Sequence, residues 1–233
     1  MINYLYVEDS GIGAEFWGYV NKFLLNNNYV VQGRYGVRNL RKSLANIDNS
    51  CKYCVIVDYV SDNYEVVKEC KKINNLAVNS SNIVVIQIHS LEQLLLSFAF
   101  LCDWTGCSAE SRVLVNQFNS AYHFDSQPGL DPNKHKELIE YKLSYVTGSS
   151  ERLTKHLFDT VTDGSGFRNV KDRPNHKHWL GHCWKHDCCG ADRKEFNVLR
   201  RFRDYCELKL TSKEKFIKLR DNSDLKEVCN RLG

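Results

Sequence analysis

The stretch Cys54-Val55-Ile56-Val57-Asp58-Tyr59-Val60-Ser61-Asp62 decides how this chain is read. A short apolar run stops abruptly on an acid. That is the pattern of a strand buried on both faces of a parallel sheet, with Asp58 at its C-terminal end. In open α/β sheets, ligands gather at that edge. Two other runs have the same form. Ile2-Asn3-Tyr4-Leu5-Tyr6-Val7 ends on Glu8 and Asp9, and Asn82-Ile83-Val84-Val85-Ile86-Gln87-Ile88 is followed by His89 and Glu92. Three strands delivering acids to one rim predict a carboxylate cluster for a divalent cation.

Helical spacing fills the intervals. Phe16, Trp17, Val20, Phe23 and Leu24 share one face of a helix expected over Ala14 to Asn27, closed by Asn26-Asn27-Asn28. Tyr29 to Gly33 reads as a strand and Arg34-Tyr35-Gly36 as a tight loop. Helices are expected over Val37 to Ile47, Tyr64 to Leu76 and Leu91 to Leu101. Residues 1–105 therefore alternate β and α, which predicts a parallel sheet with helices on both faces. Residues 106–233 change character. Ser108 to Tyr122, Lys134 to Tyr145, Glu151 to Phe158, Arg193 to Leu208 and Ser212 to Arg220 read as helices, and no further strong strand is evident. The expected architecture is an α/β domain followed by a mainly helical region that contains a Cys/His-rich segment.

No apolar run reaches the roughly 18–20 residues that a membrane span requires. The N-terminus has no basic leader segment, so a cytoplasmic protein is expected. Ten cysteines in a reducing compartment are then core residues or metal ligands rather than disulfides. The net charge of +4 is unevenly distributed. Residues 151–220 hold 17 lysines and arginines against 10 acids, which leaves the remainder acidic. Such asymmetry fits a polyanion-facing C-terminal region beside an acidic N-terminal site, and equally a solvated helical surface.

Mg²⁺ takes oxygen ligands and is usually held by one or two carboxylates. Glu8, Asp58 and Asp62, with Glu92 nearby, are the candidate catalytic and Mg²⁺- or Mn²⁺-binding residues. The bland alternative makes each acid a helix cap or first-turn residue. Tyr4-Leu5-Tyr6-Val7-Glu8, Val55-Ile56-Val57-Asp58 and Ser90-Leu91-Glu92-Gln93-Leu94-Leu95, with the glycine-bearing Val31 to Leu40 between the first two, resemble the motifs of the Toprim domain. That resemblance covers residues 1 to about 100. It implies a metal-dependent nuclease or another phosphodiester-handling protein acting on nucleic acid. In the branch associated with ATPases of the overcoming-lysogenisation-defect type, it also implies an ATPase partner and a role in bacterial phage defence. The second acid of the family's Asp-x-Asp falls on Val60, with Asp62 two residues further on. A glycine usually follows the first Glu, and here Asp9 does. A catalytically degenerate binding or assembly module is therefore the alternative. The acidic pair Glu8-Asp9, Asp58 and Ser90 also resemble a response-regulator receiver, although Tyr59-Val60-Ser61-Asp62-Asn63 lacks that family's loop residues.

Residues 175–189 pack four histidines and three cysteines into one polar segment. Cys183, Cys188, Cys189 and His182 are candidate ligands for structural Zn²⁺, with His178 and His186 as substitutes. No C-x-x-C pair is present within this segment, so buried cysteines and surface histidines are the competing reading. His178 or His182 as general acid or base is a further option. Trp179 and Trp184, beside Lys177 and Lys185, could stack on bases or sit in a core. The sequence does not set the oligomeric state.

Overall fold

The computed structural model describes residues 2–58, 64–88 and 90–101, positions 109, 112, 113, 115 and 116, and residues 211–233; the side chains of Ile12, Tyr64, Glu92 and Ser212 are not among the described features. The elements run β1 (Asn3–Val7), α1 (Ile12–Leu24), β2 (Val30–Gly33), α2 (Val37–Leu44), β3 (Lys52–Asp58), α3 (Tyr64–Val78), β4 (Ile83–Ile88) and α4 (Leu91–Leu96). Near the C-terminus follow α5 (Ser212–Asp221) and α6 (Leu225–Leu232). These residues form two compact units, one of residues 2–91 with 227–233, the other of the described part of 92–226.

The first unit is built on a four-stranded, wholly parallel sheet in the order β2-β1-β3-β4. The chain steps from β1 to β2 in one direction, then crosses back over β1 to β3 and on to β4. Right-handed crossovers place α1 on one face and both α2 and α3 on the other. The packing agrees. Tyr6, Tyr53, Val55 and Val57 form one cluster with Val37, Leu40 and Leu44 of α2 and Cys70 and Ile73 of α3, and no described side chain of α1 belongs to it. The alternate residues Leu5, Val7, Cys54 and Ile56 are buried too, as are Phe16, Trp17 and Val20 of α1. Burial on both faces explains why β3 reads as a continuous apolar run and not as an alternation.

The expected strands and helices recur with small shifts at their ends. The helix expected to reach Leu101 ends at Leu96. Its ladder tightens there: the Phe98 N–H turns to the Leu95 carbonyl, and the Ala99 N–H donates to Asn222 O at 2.8 Å. Ser97 sits at this turn, with its hydroxyl on Leu94 O at 2.7 Å and accepting from the Asp224 N–H at 2.9 Å. Helix α6 was not anticipated, although Leu225, Val228, Cys229 and Leu232 have helical spacing and are all buried. Helix α5 begins with a complete capping box between Thr211 and Glu214. Positions 109, 112, 113, 115 and 116 are helical, within the expected Ser108 to Tyr122 helix. The other expected helices and the Cys/His-rich segment, with Cys183, Cys188, Cys189 and His182, lie outside the described residues. Among the described residues, no helix is long and apolar enough to cross a membrane.

Candidate metal and phosphate site at the sheet's C-terminal rim

The strand order creates a notch. The chain leaves β1 toward α1 on one face and leaves β3 toward α3 on the other, so the two exits diverge between adjacent strands. This is the topological switch point at which open α/β sheets bind ligands. Glu8 and Asp58 stand on its two sides. The Glu8 N–H continues the ladder to Ile56 O at 3.2 Å, and the Glu8 carboxylate accepts the Asp58 backbone N–H at 3.3 Å. A carboxylate has two oxygens and about four acceptor positions, so this bond does not exhaust its capacity for a cation.

The capping alternative fails for both acids. Helix α1 opens at Ile12 with Gly11 as its N-cap, and α3 opens at Tyr64, well beyond Asp58. Asp9 is different, because it packs directly over the first turn of α1. A Cβ on Gly13 would overlap the Asp9 side chain, so only glycine admits that contact.

The β2–α2 loop straps itself across the end of β1. The Arg34 N–H donates to Val7 O and the Gly36 N–H to Glu8 O, each at 2.9 Å. Gly36 takes a φ of 99°, in the left-handed half of backbone space that glycine enters without penalty. Close approach continues at Gly33, where a Cβ would meet Asp9 O at 2.6 Å. Helices α1 and α2 thus both open at this rim on glycines that supply no side-chain cap. Arg34 lies over the Tyr6 ring, its Cζ 3.8 Å from the centroid, and its Nη2 donates to the Gln32 side chain.

Helix α3 places Cys70 behind the acids. Burial pushes its thiol up to about 12, and the charges of Glu8, Asp58 and Glu69 push in the same direction. A thiol so held stays protonated at neutral pH, so Cys70 is not a thiolate nucleophile.

Of the residues singled out in the sequence, Glu8 and Asp58 come together, although they are far apart in the chain. Asp62 lies outside the described residues, and Glu92 is described only as backbone of α4. Among the described residues no group of three or more Cys, His, Asp or Glu side chains converges as a metal cage. Two carboxylates with water completing the shell are what Mg²⁺ requires, and Glu8 with Asp58 fits that need. Arg34 and Cys70 were not singled out as rim residues. The apolar period of α3 gives Cys70 as a core residue only, and the stacking of Arg34 on Tyr6 depends on β2 lying beside β1. Compared with family models, curated proteins and solved structures, the chain matches none.

Proposed function

We propose that the chain is a metal-dependent phosphodiester-handling protein of Toprim type, a nuclease acting on nucleic acid. The observation that carries this reading is the Glu8 carboxylate receiving the Asp58 amide at the switch point of a parallel sheet. Glu8 and Asp58 would hold Mg²⁺ or Mn²⁺, with Asp62 and Glu92 assisting. When bound there, such a cation supplies Lewis-acid polarisation of a phosphoryl oxygen and lowers the pKa of a bound water. The chain's own share is positional. The Asp58 amide orients Glu8, the Gly36 strap holds the backbone of Glu8, and the apolar cluster beneath fixes both strand ends. A role in phage defence beside an ATPase partner belongs to this proposal through the resemblance of residues 1 to about 100. So does a structural Zn²⁺ on Cys183, Cys188, Cys189 and His182.

The test is Mg²⁺- and Mn²⁺-dependent cleavage of plasmid, linear DNA and RNA by the native protein, Glu8→Gln and Asp58→Asn. Cleavage lost in both variants supports the reading. Calorimetric Mg²⁺ binding that depends on Glu8 and Asp58, without cleavage of any substrate, would replace the nuclease with a metal-holding module.

A further inference from the structure

A phosphodiester that approaches Glu8, Asp9 and Asp58 meets like charge. Unless cations flank the approach, an acidic rim repels its own substrate. The C-terminal region was the part of the sequence expected to supply those cations, yet the first unit carries a set of its own. Helices α2 and α3 lie side by side on one face of the sheet and hold Arg38, Arg41, Lys42, Lys68, Lys71 and Lys72 against two acids, Glu65 and Glu69. Glu69 is already engaged. It pairs with Arg41 of α2 and, at 2.6 Å, with Lys72 of its own helix, so it ties the two helices together. Arg38, Lys42, Lys68 and Lys71 are exposed. Arg38 and Lys42 are one turn apart on α2, about 6 Å along the axis, so they present two charges in line.

Arg34 stands at the head of this face, where the strap after β2 leads into α2. Stacking on Tyr6 and the bond to Gln32 hold its guanidinium in one orientation. Among the described residues its enclosed Nε has no hydrogen-bond acceptor, and no carboxylate pairs with it. A guanidinium so fixed, with no described anion beside it, is suited to a phosphate, whose oxygens match its planar fork. The glycine-capped start of α2, two residues on, adds a weaker pull in the same direction.

We propose that Arg34 receives a phosphate of the nucleic-acid substrate at the acidic rim, and that the α2–α3 face carries the adjoining backbone. This deepens the nuclease reading, on which it rests, by giving its substrate a path, but binding along that path does not depend on the metal.

The experiment is fluorescence anisotropy with a labelled DNA duplex, a DNA single strand and an RNA, in EDTA, across a salt series. It uses the full chain, Arg34→Gln, Arg34→Lys, the triple variant Arg38→Gln/Lys42→Gln/Lys71→Gln, and Arg200→Gln/Arg201→Gln from the C-terminal basic region. Arg34→Gln is expected to weaken binding about tenfold, the worth of one charged hydrogen bond. Arg34→Lys should recover part of that loss. The triple variant should lower the slope of log K against log salt by roughly two to three, at about 0.9 for each phosphate contact on a duplex. Circular dichroism and the Mg²⁺ titration of each variant show whether fold and rim persist. Unchanged affinity and slope in folded Arg34 and triple variants overturn the proposal. So does sensitivity confined to Arg200 and Arg201, and so does the absence of binding to every probe at low salt. Binding that depends on Arg34 in a protein that cuts nothing would retain this path and remove the nuclease reading.

Discussion

The two ends of the sheet are built by opposite rules. At the N-terminal end the chain answers its own polar groups. Asn82 donates to Cys51 O at 3.0 Å and accepts the Tyr53 N–H through its backbone carbonyl at 2.8 Å. The Asp48 N–H reaches the Tyr53 hydroxyl, the Ser50 N–H reaches the Asp48 carboxylate, and the Tyr29 hydroxyl donates to Leu232 O. At the C-terminal end two helices begin on glycines without side-chain caps, the Glu8 carboxylate accepts the amide of the acid that ends the neighbouring strand, and a guanidinium has an enclosed nitrogen with no acceptor among the described residues. Polar groups closed by the protein itself stabilise the fold. Polar groups gathered at a switch point stand where open α/β sheets bind ligands. Substitutions at the two ends should therefore separate stability from activity.

The largest effect is expected at the notch. Loss of a metal's outer-shell partner typically costs about 10–100-fold, so loss of a ligand in Glu8→Gln or Asp58→Asn should cost at least about 100-fold in metal-dependent cleavage. Urea unfolding should show either variant to be as stable as the native protein or slightly more so, because one of two neighbouring like charges is gone. A stability loss above about 1 kcal/mol in either variant would make the rim structural and break the comparison.

Gly33→Ala comes next and touches both properties. The added carbon meets a backbone oxygen, which cannot turn aside as a side chain can. Overpacking of this kind costs about 1–3 kcal/mol, and it displaces the turn that carries Asp9. Thermal unfolding and Mg²⁺ titration should both register it.

Tyr29→Phe addresses the opposite end. Removing the hydroxyl that holds Leu232 O should cost about 1 kcal/mol and leave nucleic-acid affinity unchanged. Burial holds this phenol well above its ordinary value of 10.0. A raised phenol pKa stabilises the protonated form in the folded state. Stability therefore rises above the unfolded value only for groups that ionise more readily when folded, and this one does the reverse. The native protein should lose more stability than Tyr29→Phe above about pH 10, the unfolded phenol's range.

The smallest effect is expected at Glu69. Its bonds to Lys72, first, and to Arg41 hold its carboxyl at about 2, against an ordinary 4.5. A lowered carboxyl contributes stability above its unfolded value and loses it as pH falls through the folded one. The native protein should lose stability between about 4.5 and 2 that Glu69→Gln does not. Equal acid sensitivity in unfolding curves of the two proteins would mean that the α2–α3 link carries no free energy.

Much of the first unit was legible in the chain. Apolar runs of strand length that end on acids located β1, β3 and β4, and the helical period located α1 to α4, because these signals are local. The end of α4 was not legible. Phe98 and Leu101 are apolar and buried, so the run itself gives no stop after Leu96. What ends the helix is the Asn222 carbonyl, brought to Ala99 from far along the chain. Helix α6 carries a local helical spacing of its own in Leu225, Val228, Cys229 and Leu232.

For the candidate site, the residues themselves determined that Glu8 and Asp58 stand at strand ends, since a strand's end is set by the first residue that will not be buried. That β1 and β3 are neighbours was decided by the fold alone. Strand order follows from crossover handedness and the joint burial of two apolar faces, which no local window contains. The same packing brings Cys70 behind the acids and lays Arg34 on Tyr6. It also gathers six cations from two helices onto one face of a unit whose residues 1–91, summed along their length, are nearly neutral, with nine lysines and arginines against eight acids.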